Sequence, residues 1–134
     1  VVCIAALAWY VATPSSLTAI PAQLQLKVAK QPAAAILYAI LAIFIAPPVE
    51  EVIFRGFIYA GLRRRLRVGA AAIGSAAIFA LTHLGMPAGG MIVVGTLAIA
   101  LAYVYEITRN LWVSVGMHAA HNALMFVLIL LAGL

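Results

Sequence analysis

Acidic residues are scarce in this sequence of 134 residues. It contains three glutamates and no aspartate, against eight lysines and arginines. Charged residues of both signs make up 8% of the chain and hydrophobic residues 67%, whereas soluble domains are about 45–50% apolar. This composition excludes a water-soluble globular domain and predicts an integral membrane protein. The length allows about five apolar segments of roughly 20 residues each, with no room for a separate soluble domain.

Several kinds of catalytic and binding motif are also absent. There is one cysteine, Cys3, so no disulfide can form within the chain, and a buried inert thiol is expected. The sequence has no HExxH zinc motif, no cysteine pair and no glycine-rich phosphate loop, and Ser75 and Ser114 have no evident partner base. Four of the eight basic residues fall in residues 61–69, GLRRRLRVG. In a membrane protein such a cluster primarily indicates the orientation of the chain in the membrane. We therefore expect no nucleic-acid partner.

The apolar runs predict an all-α fold, a polytopic transmembrane helical bundle of about five membrane segments. It forms a single membrane-embedded domain over residues 1–134, in which a polar connection over residues 13–32 follows the first apolar run. Because Val1 is not an initiator methionine and the first run is short, we expect a truncated N-terminus. The predicted segments are residues 1–12, 33–62, 68–84, 91–105 and 111–134.

Basic residues predict the orientation of the bundle in the membrane. The arginine-rich loop 63–67 and Arg109 share a side if the third and fourth segments each cross once, while Lys27 and Lys30 lie opposite. The side richer in lysine and arginine faces the cytoplasm. The sequence therefore predicts a multi-pass protein of the cell membrane with loop 63–67 in the cytoplasm.

Residues 47–55, PPVEEVIFR, place two of the three carboxylates in the middle of apolar sequence. Ionisable groups at membrane depth are expensive and usually functional. Pro47 and Pro48 lack an N–H and disfavour the α conformation in the preceding residue, which predicts a break between two half-helices. Glu50 and Glu51 would then lie in the first turn of the second half-helix, where free N–H groups and the positive dipole end favour an anion.

Polar side chains from three segments are predicted to reach one layer of the membrane. Measured from the arginine-rich end at 1.5 Å per residue, Glu50 lies about 18 Å deep and His83 about 22 Å deep. His118 and Asn122 lie about 12 Å and 18 Å deep on the last segment. A compact bundle would bring these four groups together, which indicates a site.

Spacing along the helices separates supporting groups from reactive ones. Glu51 and Arg55 are four residues apart, so they share a helix face and can pair. Glu50 points about 100° away from Glu51, so it is not used in this pair and is the candidate for the reaction. His118 and Asn122 are also four residues apart and share a face.

A glutamate, two histidines and an asparagine in one layer support two kinds of hydrolysis. In the first, Glu50 and a histidine activate a water molecule, while Asn122 and the second histidine donate to a developing oxyanion. In the second, Glu50, His83 and His118 hold Zn²⁺ with an open fourth position. Phe79, one turn before His83, can pack against its imidazole. The residues alone leave both kinds open.

Three motifs resemble the signature of the CPBP family, intramembrane endopeptidases related to the type II CAAX prenyl protease and to bacteriocin-processing and immunity proteins. Their order, spacing and intervening lengths match over residues 47–126. The motifs are Glu50-Glu51-x-x-x-Arg55, Phe79-x-x-x-His83 and His118-x-x-x-Asn122.

The resemblance implies an endopeptidase whose site opens toward the cytoplasm and the lipid. It implies that Glu50 and His83 activate the water and that His118 and Asn122 form the oxyanion hole. It favours the glutamate mechanism without a metal, so no cofactor is preferred, and the zinc-dependent form is the alternative. The implied partners are the lipid bilayer and a peptide or membrane-protein substrate, prenylated substrates included. The supporting residues in this interpretation are Glu51, Arg55 and Phe79.

Two functions of other classes stay open. A non-catalytic membrane immunity or binding protein would use the same fold without the reaction, since fold does not guarantee function. A proton or ion carrier would use the buried Glu and His groups as a relay, although residues 91–105 contain no candidate group. His121 lies outside the three motifs, and a packing role is favoured over the alternative role of a partner to the site residues.

Overall fold

A computed structural model of the chain describes residues 31–86 and 88–132. Within these ranges the protein is helical and contains no strand. The predicted first segment, residues 1–12, and most of the predicted connection 13–32 lie outside the described residues. The described helices are α1, Pro32–Arg63; α2, Val68–Leu81; α3, Ala88–Thr108; and α4, Leu111–Ala132.

Three of these helices, α1, α3 and α4, are long and apolar enough to cross a membrane. The fourth, α2, is an apolar helix of 14 residues, or about 21 Å, which is shorter than the roughly 30 Å hydrocarbon core. The predicted all-α fold is therefore confirmed for the described residues, with three helices that could span a membrane. The predicted number of about five membrane segments is not, because the described residues give three candidate spans and one shorter apolar helix.

Helix α1 is continuous through the proline pair, so the predicted break into two half-helices is wrong. Two π-helical stretches, Leu41–Ile45 and Val52–Tyr59, flank the α-helical turn Ala46–Glu51 that holds both prolines. In a π turn each N–H bonds to the carbonyl five residues back instead of four. This change of register lets the helix pass the prolines without ending.

The proline pair also explains a contact between α1 and α4. Ala46 N–H donates to Leu41 O, five residues back, and Pro47 has no N–H to continue the series. The carbonyl of Ala42, which residue 47 would otherwise satisfy in this register, accepts a hydrogen bond from Asn122 Nδ2 at 2.8 Å. A side chain of α4 thus replaces the backbone donor that α1 lacks.

The two glutamates do not lie at a helix N-terminus, because α1 does not begin at the prolines. The predicted stabilisation by free N–H groups and by the positive end of the helix dipole is therefore wrong. Glu50 and Glu51 lie within a continuous helix, and both lie close to charged or titratable side chains.

Small residues on α2 allow the helices to approach closely. Ala71 and Ala72 are fully buried, and they pack with Tyr59 of α1 and Ala102 of α3. Close packing of small residues favours helix association in a membrane, where lipid is as apolar as the helix surface. A second buried cluster also joins α1, α2 and α3, and its members are Phe54, Ala76, Phe79 and Ala98.

Large apolar side chains cover the outside of the bundle. Phe44 and Phe57 of α1 expose 68% and 74% of their surface, and Leu131 of α4 exposes 65%. Exposed apolar surface on this scale is unusual on a soluble monomer. Together with the three candidate spans, it fits a bundle that lies in lipid.

Glu106, near the end of α3, joins several groups at the arginine-rich end of the bundle. Its Oε2 accepts hydrogen bonds from Tyr59 Oη at 2.7 Å and Arg63 Nε at 3.2 Å. Its Oε1 accepts from Arg63 Nη2 at 3.0 Å and Arg109 Nη2 at 2.7 Å. The loop that follows α1 and the connection between α3 and α4 therefore lie at the same end, and Arg63 and Arg109 share one counter-ion.

Candidate active site

A cavity of about 420 Å³ lies among α1, α3, α4 and the C-terminal end of α2. Its lining is mainly apolar, as in most small-molecule and substrate sites, where a few polar groups provide specificity. All four residues that the sequence assigns to the reaction line this one cavity. The titratable and amide side chains of the lining are Tyr38, Glu50, His83, His118, His121 and Asn122.

Glu50 is the carboxylate that faces the cavity. Its side chain is 29% exposed, whereas that of Glu51 is fully buried. Glu50 Oε2 lies 3.6 Å from His118 Nε2. Among the described residues no hydrogen bond or ion pair joins Glu50 to His83, so the two groups that the resemblance pairs share a cavity without a direct contact.

Glu51, Arg55 and His118 form a buried network that joins α1, α3 and α4. Arg55 Nη1 and His118 Nδ1 each lie 2.9 Å from Glu51 Oε1. Arg55 Nη2 donates to Ala98 O at 3.0 Å, and its guanidinium carbon lies 5.4 Å from the centroid of the Phe79 ring. Buried charges are tolerated when they are paired and hydrogen-bonded, so these contacts explain how an arginine occupies the interior.

His83 lies in the turn after α2, one turn beyond Phe79. Their ring centroids are 4.7 Å apart, so Phe79 packs against the imidazole. His83 Nδ1 lies 2.9 Å from Phe79 O and 3.2 Å from Thr82 Oγ1. Because a carbonyl oxygen only accepts hydrogen bonds, Nδ1 is the donor to Phe79 O. Nε2 is then the acceptor nitrogen of the neutral ring.

Asn122 reaches the cavity one turn beyond His118 on α4. One of its two amide hydrogens is used on Ala42 O, at an Nδ2 to O distance of 2.8 Å. An asparagine amide has a second N–H, and this one remains for a group in the cavity. His121, expected to be a packing histidine, also lines the cavity.

The proposed zinc ligands can be compared with the geometry. A zinc site needs three protein ligands that converge on one point with an open fourth position. Glu50, His83 and His118 line the same cavity, but no three His, Cys, Asp or Glu side chains among residues 31–86 and 88–132 form a group that could hold a metal ion. Nδ1 of His118 is hydrogen-bonded to Glu51, so Nε2 is the nitrogen of this ring that faces Glu50.

The two serines that lack a partner base in the sequence do not line the cavity. Ser75 Oγ donates to Phe54 O at 3.3 Å, which ties α2 to the second π-helical stretch of α1. Ser114 is fully buried, and its hydroxyl has no hydrogen-bond partner in the part of the chain that is described. Neither side chain is placed to act as a nucleophile in this cavity.

Two contacts of the site region carry no signal in the sequence. His118 lies 67 positions from Glu51, and Asn122 lies 80 positions from Ala42, so neither pair follows from helical spacing. Glu106 is the remaining carboxylate of the chain, and its contacts with Tyr59 and Arg63 span more than 40 positions. Finding such pairs requires knowledge of how the helices pack.

The comparisons with known proteins agree with the three motifs. The family model of the type II CAAX prenyl endopeptidase Rce1-like proteins matches residues 32–124, which is more than half of the chain and includes every motif residue. No curated protein and no solved structure matches the chain. This family indicates a CAAX-type intramembrane protease. On the strength of that match, the chain belongs to the type II CAAX prenyl endopeptidase Rce1-like family.

Proposed function

We propose that the protein is an intramembrane endopeptidase in which a water molecule held in the cavity attacks a peptide bond directly. The observation that carries this proposal is the cavity itself. It joins a partly exposed carboxylate, Glu50, to two histidines and an asparagine from separate parts of the chain, within a mainly apolar lining. Membership of the Rce1-like family supports the same reaction class.

In the proposed reaction Glu50 takes a proton from the water as the water oxygen bonds to the scissile carbonyl carbon. The negative charge that develops on the carbonyl oxygen is stabilised by N–H donors from His118 and Asn122. The C–N bond then breaks, and the leaving nitrogen receives the proton that Glu50 had taken. His83, whose Nε2 is an acceptor, is proposed to orient the attacking water.

The apolar surroundings favour a substrate that arrives from the membrane. The cavity lining and the outer surface of the bundle are both apolar, which suits a peptide that carries a lipid group or a segment of a membrane protein. The family match favours a prenylated C-terminal peptide. The resemblance favours cleavage on the cytoplasmic side, but the cavity lies toward the end of the bundle opposite loop 63–67. A cytoplasmic site and a cytoplasmic loop 63–67 are therefore alternative proposals.

The substrate proposal is tested with purified protein in detergent and two internally quenched peptides of the same sequence, one farnesylated and one not. We expect cleavage of the farnesylated peptide at one internal bond, with product masses that correspond to addition of one water. A correctly folded, monodisperse protein that cleaves neither peptide would contradict the proposed substrate class.

We propose that the reaction needs no metal, in line with the arrangement of Glu50, His83 and His118. The test is the same cleavage reaction with 1,10-phenanthroline. We expect the rate to be unchanged, and EDTA serves as a second chelator of different geometry. If a chelator abolishes the activity and added Zn²⁺ restores it, the proposal is wrong and these residues are metal ligands.

A further inference from the structure

Glu51 contacts a residue of the cavity as well as Arg55. Its Oε1 takes both hydrogen bonds, from Arg55 Nη1 and from His118 Nδ1, each at 2.9 Å. Its carboxylate is fully buried, and Oε2 has no hydrogen-bond partner among the described residues. Spacing along α1 assigns Glu51 only to the pair with Arg55, and the proposed reaction does not use it.

The bond to Glu51 fixes where His118 carries a proton. An arginine is always cationic in a protein, so the carboxylate paired with Arg55 is ionised and can only accept hydrogen bonds. His118 Nδ1 is therefore the donor and carries a proton. On a neutral ring Nε2 is then the acceptor nitrogen, and it is Nε2 that lies 3.6 Å from Glu50 Oε2.

A second proton on His118 would have two consequences. It would give Nε2 an N–H that can donate to an oxyanion, which a neutral ring protonated on Nδ1 cannot do. It would also bring the formal charge of Glu50, Glu51, Arg55 and His118 to zero. A neutral ring leaves this group with one unbalanced negative charge among apolar helices, which is unfavourable.

We propose that Glu51 is a positioning residue for His118. Its carboxylate holds a proton on Nδ1, turns Nε2 toward Glu50 and the cavity, and acts as the counter-ion when Nε2 is also protonated. The kinetic consequence of this proposal rests on the proposed protease function. The protonation pattern of the ring does not, so the two are tested separately.

Nitrogen NMR of protein labelled with ¹⁵N-histidine tests the protonation pattern without a substrate. In the neutral form of the ring, we expect His118 to have a protonated Nδ1 and an unprotonated Nε2. The signal is assigned by its loss in His118→Gln. The matched control is Glu50→Gln, which removes the other nearby carboxylate and should leave the proton on Nδ1.

The double variant Glu51→Met/Arg55→Met removes the ion pair as a unit, so that no unpaired charge is left buried. We expect the neutral ring of His118 to shift to the form protonated on Nε2 in this variant. A wild-type ring with its proton on Nε2 and none on Nδ1 would overturn the proposal, whether or not the double variant folds.

The kinetic test uses Glu51→Gln, which keeps the shape of the side chain and removes its charge. We expect kcat per folded molecule to fall by about 10–100-fold, the range found when a residue that orients a histidine ligand is changed, with KM nearly constant. An unchanged kcat in folded Glu51→Gln protein would overturn the positioning role. If the wild type cleaves no peptide while the NMR pattern holds, the proposed function fails and the contact between Glu51 and His118 stands.

Discussion

Arg55 shows, at the scale of single residues, how a charge is kept inside an apolar bundle. Its side chain is 1% exposed, and it is held by Glu51, by the carbonyl of Ala98 and by the face of Phe79. The i, i+4 spacing on α1 made the pairing with Glu51 predictable. The contacts with Ala98 and Phe79 come from other helices and depend on how these pack.

Removing Arg55 alone should be more harmful than removing it together with its partner. Arg55→Ala leaves the Glu51 carboxylate buried without its counter-ion, and we expect a loss of about 3–5 kcal/mol in the free energy of unfolding. The matched control, Glu51→Met/Arg55→Met, should lose less, because no charge is left unpaired. Reversible unfolding in detergent micelles measures both, and an Arg55→Ala protein as stable as the wild type would contradict the buried network.

The sequence could place Glu50, His118 and Asn122 on helices, but His83 lies in the turn just beyond α2, and the contacts between these elements were not predictable. Three motifs located Glu50, His83, His118 and Asn122, since each has a recognisable spacing and an unusual polarity for a membrane segment. The contact of His118 with Glu51 was not predictable, because it depends on the distance between α1 and α4 and on the rotation of both helices.

At the scale of helices, α1 is the element in which local rules predicted the wrong structure. Two adjacent prolines predict a break, yet α1 continues through them with a π-helical stretch on either side. The carbonyl of Ala42 has no backbone donor because Pro47 lacks an N–H, and it accepts a hydrogen bond from Asn122 on α4. A local rule cannot anticipate a donor that lies 80 positions away.

The side chain of Asn122 takes the place of the backbone donor that Pro47 lacks. The effects of changing Asn122 and Pro47 on stability should therefore be coupled. Asn122→Ala removes the protein donor to the partly buried carbonyl of Ala42, and we expect a loss of about 1–3 kcal/mol in the free energy of unfolding. In a Pro47→Ala background the N–H of residue 47 can donate to Ala42 O, so the same change should be less destabilising. A double-mutant cycle measured by unfolding in micelles gives the coupling. Equal losses in both backgrounds would contradict this account of α1.

At the scale of the whole molecule, the basic side chains of residues 31–86 and 88–132, apart from the buried Arg55, lie at one end of the bundle. Arg63 and Arg109 share Glu106 as counter-ion, while Arg64, Arg65 and Arg67 are exposed at the same end. The composition made the membrane class and the all-helical fold predictable from the sequence. The predicted number of spans is not confirmed, because the segment 1–12 lies outside the described residues and α2, at 14 residues, is shorter than the hydrocarbon core.

The charge difference predicts the orientation of the bundle in a cell. In a Cys3→Ser background, Arg65→Cys reports on the arginine-rich end and Leu131→Cys on the far end of α4. We expect a membrane-impermeant maleimide to label Leu131→Cys in intact cells, and Arg65→Cys only after the membrane is permeabilised. The reverse pattern would place loop 63–67 outside the cytoplasm.

The central claim is that the carboxylate of Glu50 performs the hydrolysis, and comparison of two Glu-to-Gln variants tests it most directly. Glu50→Gln should lower kcat/KM for the quenched farnesylated peptide by about 10²–10⁴-fold, the usual contribution of a general base. Glu106→Gln removes the carboxylate at the arginine-rich end, outside the cavity, and should cleave within a few-fold of the wild type. A folded Glu50→Gln protein that cleaves the peptide at the rate of the wild type would contradict the account.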